Sequence, residues 1–81
     1  MEQENAIPLS ELDIGQSGKI VSIKGTGASR RRLIDLGMTK GSIVQVAKKA
    51  PFGDPLDFIV KGYHLSLRKS EAENILVMLL K

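Results

Sequence analysis

The chain has 81 residues and no cysteine, so disulfides, thiolate zinc sites and thiol nucleophiles are excluded and aliphatic packing must build the core. A domain this short buries only about two-thirds of the surface its unfolded form exposes, which limits its stability to on the order of 5 kcal/mol. The net charge of +3 is unevenly spread, with eight bases against a single acid, Asp35, between residues 14 and 53; either one face is positive, or solvated lysines are scattered around the surface.

Residues 1–6 are polar and acidic, the reverse of a secretory signal, and are expected to be disordered. No segment reaches the roughly 18 apolar residues of a membrane-spanning helix, and a cytoplasmic location is the economical expectation. Residues 8–12 read as a single turn with Leu9 and Leu12 on one side, followed by a turn-rich entry to a first strand at 19–24. There Val21 and Ile23 alternate with polar neighbours, as in a half-buried strand. Glycines at 25 and 27 break that strand before the one convincing helix, 28–36, which places Ala28, Leu33 and Leu36 on one side. Gly37 is placed to end the helix in the left-handed conformation, with Met38 folding back on Leu33. Residues 39–42 form a tight turn in which Gly41 supplies the positive φ.

The second strand is expected at 43–49. Residues 50–55 form a rigid loop, because Pro51 and Pro55 each fix their own φ and bias the preceding residue toward extended. Third and fourth strands follow at 56–61 and 63–68, separated by Gly62, with Tyr63, Leu65 and Leu67 alternating inward. Residues 69–73 form a short helical turn that Ser70 could cap with Glu73 at the reciprocal position. A closing strand spans 74–80. This string describes a mainly β domain over residues 7–81: a small, partly closed SH3-like barrel of about five strands with a helix inserted after the first. An open antiparallel sheet packed under the helix would give the same string. The barrel is preferred because the final strand is too apolar to lie at an exposed edge.

Catalytic groups are sparse. The one histidine, His64, has Ser66 two residues along the same strand, with Cβ atoms roughly 7 Å apart, too far for a direct hydrogen bond. A metal centre needs three convergent ligands, so His64 is at most part of a weak surface site, and no cofactor is expected. The segment 25–30 has the look of a phosphate loop but lacks its lysine and hydroxyl. Arg30, Arg31 and Arg32 fan out in 100° steps. They make either a solvated helix face, with Arg31 pairing Asp35 and Arg32 laying its stem over the core, or a contact for an acidic surface. Phe52, between Pro51 and Pro55, is either an apolar anchor at the loop tip or tucked under the barrel rim. Phe58 is left undecided between core and surface. Few aromatics argue against nucleic-acid binding.

Several runs together resemble the FeoA family: residues 9–12, 18–21, 30–39 (Arg30-Arg31-Arg32-Leu33-Ile34-Asp35-Leu36-Gly37-Met38-Thr39), 50–55 and 62–72. Lys40 stands where family members commonly carry proline. The resemblance implies an SH3-like barrel acting in the cytoplasm beside FeoB, the ferrous iron permease with a cytosolic G-protein domain. It extends to the C-terminal SH3-like domain of iron-dependent repressors, but no helix-turn-helix is read ahead of the barrel, and autonomous repression is not expected. A monomeric, non-enzymatic adaptor is therefore expected, with Arg30, Arg31, Arg32, Pro51, Phe52 and Pro55 as its contacts. The alternatives are an activator of FeoB GTP hydrolysis using Arg30, or an iron-responsive sensor.

Overall fold

β-branched and aliphatic runs, punctuated by glycine and proline turns, form six antiparallel strands in the computed structural model, which describes residues 6–80. They are β1 (Ala6–Pro8), β2 (Ser17–Ile23), β3 (Ile43–Lys49), β4 (Leu56–Val60), β5 (Tyr63–Leu67) and β6 (Ile75–Leu80). A 3-10 turn (Leu9–Glu11) follows β1, helix α1 (Gly27–Asp35) follows β2, and helix α2 (Lys69–Ala72) precedes β6. The mainly β, SH3-like expectation holds. The sheet runs β1-β6-β2-β3-β4-β5 and is not closed by pairing of its end strands. The apolar β6 lies between β1 and β2, covered on both edges. The sixth strand, β1, includes Ala6, which pairs with Met78 instead of belonging to a disordered leader; the rest of that expected leader lies outside the described residues.

Alternation gives the sheet a wholly apolar inner face, and no polar or charged residue is buried among the described residues. Val44, Val46, Leu56, Phe58, Val60, Leu67, Ile75 and Val77 fill it, with Leu9 and Leu12 of the first turn closing one end. Phe58 is fully buried, flanked in register by Val46 and Leu65, which settles its face. In β2 the buried residue is Ile20, with Val21 and Ile23 only half-buried. The ladder to β6 shifts between Ile20 and Ser22, so Val21 is an inserted bulge residue that breaks the simple alternation expected there.

Helix α1 ends as expected. Gly37 takes φ +100, its N–H donates to Ile34 O (3.0 Å), and Met38 N–H donates to Leu33 O (3.0 Å). This is the Schellman arrangement, and the buried pair Leu33 and Met38 supplies its apolar contact. Ala28, expected on the buried side, is exposed, because the helix touches the sheet mainly through its second half. A Cβ on Gly37 would add left-handed strain and meet the Tyr63 hydroxyl at 3.0 Å. Gly37→Ala is therefore expected to cost about 1–2 kcal/mol, read as a lower midpoint in urea unfolding.

Two other expectations change. Tyr63 faces the inner side at the end of β5 but stays 42% exposed; there its hydroxyl donates to Leu36 O at the end of α1. Helix α2 begins before Ser70, which does not cap it. Glu71 reaches back to accept the Arg68 N–H (2.9 Å), and Asp54 accepts the Lys69 N–H (2.9 Å) from the neighbouring loop. Those two carboxylates meet donors that a four-residue helix would otherwise leave open.

Candidate functional site

The three arginines leave α1 in different directions. Arg32 pairs with Glu71 of α2, although its side chain remains 53% exposed. Arg30 and Arg31 are exposed, and with Gly27, Ala28, Ile34 and Asp35 they border a shallow surface depression. The expected pair between Arg31 and Asp35 does not form: among the described residues the ion pairs of arginine and lysine are Arg32–Glu71 and Lys49–Asp13. The acid that meets the arginine run comes from 39 positions away, so neighbour spacing on the helix could not reveal it.

The loop between β3 and β4 carries the other expected contact. Ala50 N–H donates to Pro55 O (3.0 Å), Gly53 N–H donates to Ala50 O (2.7 Å), and the Asp54 side chain is held by α2. Above this braced base Phe52 is 99% exposed, between the exposed Pro51 and Pro55. It is a tip, not a plug under the rim. A bare aromatic on ordered backbone gains apolar burial on association without first losing loop freedom.

On the outer face of β4 and β5, Asp57 stands opposite Ser66, and His64 Nδ1 lies 3.6 Å from an Asp57 carboxylate oxygen. The residue types are those of an acyl-transfer relay. His64 is largely exposed, and no hydrogen bond joins it to Ser66 among the described residues. An open strand face supplies neither a water-excluding pocket nor an oxyanion site. The same residues do not converge as a metal centre: no group of three or more potential ligands occurs among the described residues. No helix among the described residues is long and apolar enough to cross a membrane.

Spacing alone did not point to Lys19 and Lys40, which share the border of a groove with Met78, Leu79 and Leu80. Both were visible only as members of the basic middle of the chain.

Comparison with known proteins bears on this arrangement. Residues 7–79 match the family profile of the FeoA domain. A Porphyromonas gingivalis protein named a Fe(2+) transport protein A/Fe(2+) transporter FeoB fusion is 36% identical over 72 residues. The match takes in 89% of this chain but only 8% of that protein. The solution structure of a FeoA-like protein from Clostridium acetobutylicum superposes with a TM-score of 0.89 at 40% identity, covering 95% of this chain and 90% of that one. The zinc complex of Stenotrophomonas maltophilia FeoA, described as a prokaryotic SH3 domain protein, gives a TM-score of 0.76 at 37% identity, over 85% and 86% of the two chains. Matched over nearly its whole length in sequence and in fold, the chain belongs to the FeoA domain family.

Proposed function

We propose that this protein is a non-enzymatic accessory of ferrous iron uptake that works in the cytoplasm, docking on the cytosolic G-protein region of a FeoB-type permease and modulating transport. The fused relative supports the partnership, since joining two modules in one polypeptide raises the effective concentration of one at the other. The observation that carries the docking mode is Phe52, displayed at 99% exposure on a loop tied at both ends. Phe52 with Pro51 and Pro55 is the apolar anchor. Arg30 and Arg31 supply the charged contact, and Arg32 holds the helix through Glu71.

Arg30 lies in the first turn of α1, on ordered backbone, which suits a docking contact better than a finger inserted into a nucleotide site. Calorimetric titration against the purified G-protein region tests the assignment. Phe52→Ala and Arg31→Glu are each expected to weaken binding about tenfold or more, the effect of losing a central anchor or reversing a complementary charge. Unchanged affinity in both variants would sink it. Acceleration of GTP hydrolysis that disappears in Arg30→Ala would favour the activator reading instead.

A further inference from the structure

The pairing of β2 with β3 stops early. Ser17, Gly18 and Lys19 face Gln45, Val44 and Ile43, and Ile20 completes the run by donating to Ser42 O (2.9 Å) and accepting from Gly41 N–H (2.7 Å). Beyond that point, Val21, Ser22 and Ile23 have β6 as their only strand neighbour among the described residues. Their other side opens on a trough between β2 and α1, bordered by Ile34, Arg30, Thr39 and Lys40. Val21 and Lys40 also border a second recess, with Lys19, Met78, Leu79 and Leu80, toward the β6 side of β2. Arg30 and Lys40 border the trough itself, and no acidic residue does.

We propose that this trough is a strand-addition site for an acidic segment of a partner protein, extended and apolar at alternate positions. An unpaired strand edge offers backbone donors and acceptors in a row, and an added strand satisfies them in an extended conformation. Successive side chains of that strand point to opposite sides. Apolar side chains of that strand lie against Ile34 of α1, and acidic ones reach Arg30 and Lys40. The open stretch from Val21 to Ile23 has a reach of roughly 10 Å at about 3.3 Å per residue, so about three partner residues pair along it. The site is a recess, and a recess fits a chain better than the flat surface of a bilayer. This inference stands apart from which protein supplies the segment.

The test is a titration of the isotope-labelled chain, followed by its amide resonances, with a capped hexapeptide alternating glutamate and valine. Saturable shifts at Val21, Ser22 and Ile23 are expected, falling severalfold in affinity as salt rises from about 0.05 to about 0.3 M, as the Debye length shortens. Lys40→Glu, at an exposed turn position, should weaken binding about tenfold, and a peptide alternating lysine and valine should not bind. The proposal is overturned if millimolar glutamate peptide leaves those three amides unmoved, or if both peptides shift them alike. It is equally overturned if phosphatidylglycerol vesicles, and not the peptide, perturb those three amides.

Discussion

The chain carrying Phe58→Ala is expected to lose most of its stability at 25 °C. Phe58 is fully buried at the middle of β4 and is the largest side chain in the core. Removing a buried aromatic ring costs about 3–5 kcal/mol, since the transfer energy is lost and a cavity remains. That is comparable to the whole stability of a domain this short. No disulfide compensates, because the chain has no cysteine. Thermal melts by circular dichroism check this: the midpoint should fall by more than about 12 °C, at about 4 °C or more per kcal/mol for a domain of this size, or the cooperative transition should vanish. The matched control is the other phenylalanine. Phe52→Ala should move stability by no more than about 0.5 kcal/mol, as for a surface position. Near-native stability in the Phe58 variant would mean that the core closes over the gap.

The second large effect is expected at Gly18. Its backbone is not left-handed, so glycine is there for space and not for conformation. A Cβ built on it would lie 2.8 Å from both Cβ and Cγ2 of Val77 and 3.3 Å from a Leu12 methyl. Val77 is fully buried and short, with no flexible end to swing aside. Gly18→Ala must therefore move β2 away from β6 or push on the first turn. Glycine to alanine in relaxed backbone usually stabilises by about 0.4–1 kcal/mol through the unfolded state. Here overpacking outweighs that, and a net loss of about 1–3 kcal/mol is expected in urea unfolding. In a Val77→Ala background, which removes the Cγ2 contact but keeps the Cβ, the loss from Gly18→Ala should shrink without disappearing. A neutral or stabilising Gly18→Ala would show that the strands separate freely.

Most of the architecture was legible from the chain because its punctuation is local. Gly37 followed by Met38 announced the end of α1, Gly41 the turn before β3, and Gly62 the hairpin between β4 and β5. The misreadings share another cause, which is that distant partners override local patterns. β1 is three residues long, and it is a strand only because β6 lies beside it. The bulge at Val21 has no signature in a run of β-branched residues. Ser70 looked like a helix cap because its side chain suits one, yet Asp54 and Glu71 provide the carboxylates. The candidate site divides in the same way. Phe52 between two prolines was visible as a possible anchor, but its exposure depends on how the loop leaves the sheet. The trough beside β2 collects Arg30 and Lys40 from two separate segments, which no spacing rule joins.

The brace on the phenylalanine loop has a mechanical consequence. Asp54 ties that loop to the start of α2, and Glu71, two residues on, grips Arg32 of α1. Two carboxylates thus link the aromatic tip to the arginine helix through α2. For a partner docking as proposed, seating Phe52 first leaves Arg30 and Arg31 already positioned, and its second contact forms with little further loss of tumbling freedom.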